Sequence, residues 1–245
     1  MQDNYFRMII TESEIWDRFN NKSIPIDIKW LETVYSLKLP QELRHLIGER
    51  IGLFSEQGWE LIKKLLKENG NQPELIYAAG ICSHKEARDF LLECLEIRSE
   101  PQINVINALA CWGAFVPIED LRKIFNNKSL NMRIAGLNIL SYKSHLLNEV
   151  ELLDLVEELL IDFREEVVIN TIRILQRRNE DKIIKRISRL AIESSDGIVE
   201  VALVALGTIG TRQSSLELKK LKRKLVNINH QEIAHNQIIH QYTSS

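Results

Sequence analysis

A unit of two amphipathic stretches recurs about every 30 residues from near residue 41 to near residue 226, and this period most constrains how the chain can fold. Its clearest copy is Val199-Glu200-Val201-Ala202-Leu203-Val204-Ala205-Leu206-Gly207-Thr208-Ile209-Gly210. The same frame returns at Val105, Ala108 and Cys111-Trp112-Gly113, and more weakly at Leu75 and Ala78-Ala79-Gly80. One copy cannot enclose a core. Stacked copies can, because each covers its neighbour's apolar face, so the pattern predicts one continuous body. Apolar spacings of 3, 4 and 7 make the stretches helices, and period-two alternation is absent. The predicted class is all-α, a right-handed α-α solenoid of about six helix pairs behind an N-terminal helical cap.

Residues 1–40 fall outside the repeat. Thr11-Glu12-Ser13-Glu14 reads as a capping box opening a helix through Trp16 and Phe19, and Asp27 caps a second helix carrying Trp30, Leu31, Val34 and Tyr35. A terminal segment has to cover an exposed core edge, so 1–40 is assigned as the cap. The solenoid proper is assigned to 41–226, with units near 41–70, 71–99, 100–129, 130–162 and 163–195 and a sixth closing on Leu218, Leu221 and Leu225. The polar tail, 227–245, carries no unit and is expected to fray or to lie against the last pair. Ala78, Ala79, Ala108, Ala202 and Ala205 permit close helix approach. Gly52, Gly80, Gly113 and Gly207 fall near the ends of first helices and are read as left-handed caps.

Composition narrows the setting. At 44% hydrophobic and 27% charged residues the chain reads as soluble and folded rather than disordered. No apolar run approaches about 18 residues, so no membrane partner is expected, and Met1–Arg7 lacks the plan of a secretory signal. Three cysteines (Cys82, Cys94 and Cys111) without metal-ligand spacing point to a reducing, cytoplasmic setting. The net charge of −2 is unevenly placed. Residues 1–162 hold 18 Lys and Arg against 25 Asp and Glu, net −7, whereas residues 163–245 hold 14 against 9, net +5. Such a gradient can orient a charged partner.

The Val199, Ala202, Ala205-Leu206-Gly207 and Ile209-Gly210 frame resembles the HEAT-like repeat of the phycobilisome-lyase type. The resemblance spans roughly 41–226 as architecture and is sharpest in the third and sixth units. In the fourth and fifth units Ala-Leu-Gly is replaced by Asn138-Ile139-Leu140 and Arg173-Ile174-Leu175. It implies a binding surface. Its members include bilin lyases of cyanobacteria, chaperone-like factors of phycobilisome assembly and turnover, and a partner of an A-type iron–sulfur scaffold. No catalytic residue carries over, since no motif beyond the repeat is shared.

Site candidates come from charge and exposure. Lys182, Lys185, Arg186 and Arg189 share one predicted helix, preceded by Arg177-Arg178, and Lys219, Lys220, Lys222, Arg223 and Lys224 share the next. Spacings of 3 and 4 put several on a common face that can take phosphates, propionates or an acidic protein. Lys182, Lys185, Arg186, Lys220 and Arg223 are therefore assigned to a partner contact. Trp59 joins them, because it opens a second helix, the layer that lines the recognition surface in such repeats. Cys82-Ser83-His84 falls in a turn and has too few companions for a metal site. His230, His235 and His240 are five apart, about 140° on a helix, and cannot share a face. Glycine-rich phosphate loops, a zinc-binding His-Glu-x-x-His and a nucleophile elbow are all absent. Nucleic acid is not the expected partner, given the net charge. The expected function is a non-catalytic, protein-binding scaffold or chaperone-like adaptor that uses the concave groove of the solenoid, without a cofactor. Bilin handling with a phycobiliprotein subunit, or service to an iron–sulfur scaffold, are the alternatives that the resemblance implies.

Overall fold

The computed structural model describes residues 10–96 and 102–243. The expectations for Met1–Arg7 and for the junction between the second and third units lie outside the described residues. Among these, fifteen α-helices and three short 3-10 turns make up the regular structure, and there is no strand. Two short helices come first, α1 (Glu12–Asn20) and α2 (Ile28–Val34). Then follow α3 (Gln41–Gly52), α4 (Ser55–Asn69), α5 (Pro73–Ile81), α6 (Lys85–Glu96) and α7 (Gln102–Ala110). After a 3-10 turn come α8 (Ile118–Phe125), α9 (Leu130–Lys143), α10 (Glu149–Val156), α11 (Glu165–Leu175) and α12 (Asp181–Glu193). The last three are α13 (Asp196–Ile209), α14 (Arg212–Lys224) and α15 (Ile228–Thr243).

These helices form two compact units, Met1–Trp112 and Gly113–Ser245, where the repeat alone predicts one continuous body. Helix α7 stops after nine residues, and Gly113, at φ +39°, turns the backbone out of the helical run.

In the first unit, the cap helices start as their sequences dictate. The Thr11 and Glu14 side chains close a reciprocal capping box, and Asp27 Oδ1 accepts from the Trp30 amide at 2.9 Å. Helix α2 packs on α3 and α4. Helices α3, α5 and α7 lie side by side as one layer, with α4 and α6 against them. The first layer is unusually tight, and glycine is why. A Cβ on Gly48 would stand 2.7 Å from the Glu74 carbonyl oxygen, on Gly52 2.8 Å from that of Ala78, and on Gly80 2.6 Å from that of Ala108. Gly52, Gly80 and Gly207 thus sit inside helices at close crossings, which corrects their assignment as left-handed caps. Of those four, Gly113 alone has a positive φ, and the left-handed cap of α13 is Gly210, at φ +67°.

The second unit repeats the scheme. Helices α9, α11 and α13 form one layer, while α12 packs on α10 and α14 in the other. Of the two outcomes expected for the tail, residues 228–243 take the second and lie against the last pair. They form α15, which packs on both α13 and α14 and extends the first layer by half a repeat. His230, Ala234 and Ile238, four residues apart, are the stripe it buries.

In the second unit, polar bonds run at three places from a later element back to the end of the first helix before it. Lys143 Nζ donates to the Ala114 carbonyl at 2.8 Å. Arg178 donates to the carbonyls of Ser144 and Leu147 at 2.6 and 2.9 Å. Gln241 donates to those of Leu206 and Gly207 at 2.9 and 3.0 Å. These are carbonyls at or just beyond the ends of first helices, which a helix cannot satisfy itself.

Candidate functional site

The basic helices α12 and α14 lie side by side. On α12, Ile183, Ile184, Ile187, Leu190 and Ala191 are buried, so Lys185 and Arg189, one turn apart, face outward. On α14, Leu218 and Leu221 are buried, and Lys220 and Arg223 face outward. The two helices are tied by a buried bond in which Ser188 Oγ donates to Glu217 Oε2 at 3.1 Å.

The five cations assigned from sequence part into two groups. Arg186 is held by both oxygens of Glu157, at 3.1 Å to each from Nε, and its side chain is 12% exposed. Lys182 lies 3.9 Å from Glu149, whose other oxygen accepts from the Lys182 amide at 2.8 Å. Lys220 pairs with Glu217 at 2.8 Å. Lys185 and Arg223 have no acidic side chain within ion-pair distance among the described residues, nor does Arg189. Arg178 is taken up by the carbonyls of Ser144 and Leu147 and by Glu180, whose carboxyl that guanidinium holds below its ordinary range. It is a structural cation.

Trp59 is not on the surface. It is 3% exposed, its indole N–H donates to Glu86 at 2.9 Å, and its ring lies 5.8 Å from that of Phe90. Its place at the start of α4 suggested a recognition role. Gly58, with no side chain, lets α4 approach the Ile51 carbonyl, and the indole fills the space between α4 and α6. Trp59 therefore holds the first unit together.

Cys82 is fully buried, and burial pushes its thiol above the ordinary range, away from the reactive thiolate. Glu74 is 1% exposed and accepts from Tyr35 at 3.0 Å, with Arg44 at 3.2 Å. Burial, reinforced by that carboxylate, pushes the Tyr35 phenol up. This buried triad joins the cap to α3 and α5, a role that sequence spacing gave no sign of. His230 is buried, and its ring lies 3.7 Å from the Asp196 carboxylate at the start of α13. Among the described residues no group of three or more His, Cys, Asp or Glu is placed to hold a metal, and no helix is long and apolar enough to cross a membrane.

No known family profile matches the sequence, and no curated protein matches it. Solved structures do. The chain is similar to the archaeal HEAT-like repeats protein from Thermococcus onnurineus NA1, at 16% identity, over 89% of this chain and 98% of that one, with a TM-score of 0.50. It is also similar to the complex of CpcE and CpcF of phycocyanin lyase from Nostoc sp. PCC7120, at 14% identity, 89% and 96% coverage and a TM-score of 0.47. Human deoxyhypusine hydroxylase in complex with glycerol matches at 13% identity, 95% and 91% coverage and a TM-score of 0.44. At such identities the likeness shows the fold, and the archaeal protein carries it. The protein is an all-α, HEAT-like repeat solenoid.

Proposed function

We propose that this protein is a non-catalytic scaffold that holds a protein partner on the outward face of its second helices. The supporting observation is the α12–α14 pair, in which packed helices present regularly spaced side chains, among them Lys185, Arg189 and Arg223, which have no acidic side chain within ion-pair distance among the described residues. Rigid helices hold such a face in one geometry, which lowers the ordering cost of association. The adaptor or chaperone-like role is the finer form of this reading. Its tests are partner capture and a pigment assay. The whole 245-residue chain, immobilised, should retain from native lysate a protein that then binds it directly when both are pure. Purified protein should also be incubated with phycobilins and apo-subunits, and pulled down with A-type iron–sulfur scaffolds followed by metal analysis. A covalent bilin adduct formed at catalytic protein concentrations would overturn the scaffold reading in favour of a lyase.

A further inference from the structure

The outward faces of α12 and α14 carry the same pattern. Lys185, Arg189 and Ile192 follow one another at spacings of 4 and 3 on α12, and Leu216, Lys220 and Arg223 do so on α14. These spacings put each trio on one helix face. Ile192 is 52% and Leu216 43% exposed, so each helix shows solvent two cations and one branched apolar side chain. The Ser188–Glu217 bond ties the two helices that carry the trios to each other. From this we infer, resting on the scaffold reading above, that the partner presents an acidic segment with interspersed apolar side chains, which lies across α12 and α14.

Two observations favour protein over a nucleic acid or an anionic membrane. The first is that the cationic strip is narrow and bordered by acid. Helix α10, beside α12, exposes Asp154 at 66% and Glu157 at 53%, each paired with an arginine, so the strip ends at that edge and suits a short acidic segment better than a long phosphate backbone that must run past it. The second is that apolar side chains set among the cations match a peptide of mixed chemistry better than a phosphate backbone. Of the cations, Lys185, Arg189 and Arg223 are free of internal ion pairs among the described residues, so they can form new pairs without breaking old ones.

The test uses the full chain and a short fluorescein-labelled peptide of Glu and Asp carrying two Leu. A version with Ser for Leu, a single-stranded oligothymidylate and phosphatidylserine vesicles serve as comparison arms. Anisotropy should show the Leu-bearing peptide bound more tightly than the other three, with affinity falling as salt rises over a screening length of about 8 Å at physiological ionic strength. The Lys185→Glu, Arg189→Glu, Arg223→Glu triple variant should weaken binding by about tenfold or more and flatten its salt dependence. The equally charged control Lys29→Glu, Lys67→Glu, Arg173→Glu should change it by less than about twofold. Unchanged melting would show that both variants fold. If the parent does not bind the peptide, if the triple variant binds it as the parent does, or if oligothymidylate or vesicles bind better, the inference is overturned. A captured, purified partner that binds parent and triple variant equally would overturn it too, while leaving the scaffold reading intact.

Discussion

Asp162 is held between two arginines, Arg133 and Arg164. Its side chain is 1% exposed, and it accepts from the Arg164 amide at 3.0 Å and from the Arg164 guanidinium at 2.8 Å, with Arg133 on its other side. Arg164 in turn donates to the Lys128 carbonyl at 2.9 Å, so one carboxylate closes the turns before α9 and α11. The Arg164 side-chain bonds, aided by its amide and by Arg133, bring the Asp162 carboxyl down to about 2. A carboxyl with a folded value below its unfolded value of about 3.9 stabilises the fold fully above that value and loses this as pH falls toward about 2. The contribution is about 2 kcal/mol. Asp162→Asn should therefore lower unfolding stability by about that amount at neutral pH, measured by urea titration, and match the parent near pH 2. A constant difference across that range would mean that shape, not charge, holds the turns.

At the scale of the helix, glycine decides how closely neighbours pack. Gly80→Ala makes opposing effects compete. Alanine favours a helix interior by about 1 kcal/mol over glycine, yet its Cβ would meet the Ala108 carbonyl oxygen at 2.6 Å and Cα at 2.9 Å. Backbone cannot step aside as a side chain can, and overpacking costs about 1–3 kcal/mol, so the clash wins. The variant should be less stable than the parent in urea unfolding. A gain in stability would rule out the close approach of α5 and α7. The helices themselves were legible because each buries a stripe repeated at helical spacing, as Val199, Ala202, Leu203 and Leu206 do on α13. Helix α15 was not, because its stripe of His230, Ala234 and Ile238 is thin and includes a histidine. The cationic face was half legible. Spacing puts Lys185 and Arg186 on the same helix, but only packing shows that Glu157, 29 residues earlier, takes Arg186 and leaves Lys185 to solvent. Trp59 misled for the same reason, since the Glu86 that satisfies its indole lies 27 residues away.

For the molecule as a whole, α15 is the element whose removal is most informative. A chain ended at Val226 would strip the cover from α13 and α14 and leave the carbonyls of Leu206 and Gly207 without Gln241. Its melting temperature should fall by at least about 5 °C, with dye binding to newly exposed apolar surface, as calorimetry and fluorescence would show. An unchanged transition would make α15 dispensable. The bonds that close one repeat with a donor from the next also give the second unit a direction in time. Ala114 waits 29 residues for Lys143, Ser144 waits 34 for Arg178, and Leu206 waits 35 for Gln241. At about 5–20 residues per second, a ribosome leaves each of these helix ends open for a few seconds before its closing side chain exists. A nascent chain is thus always one repeat short of finished, and a stalled one displays bare carbonyls at its growing edge.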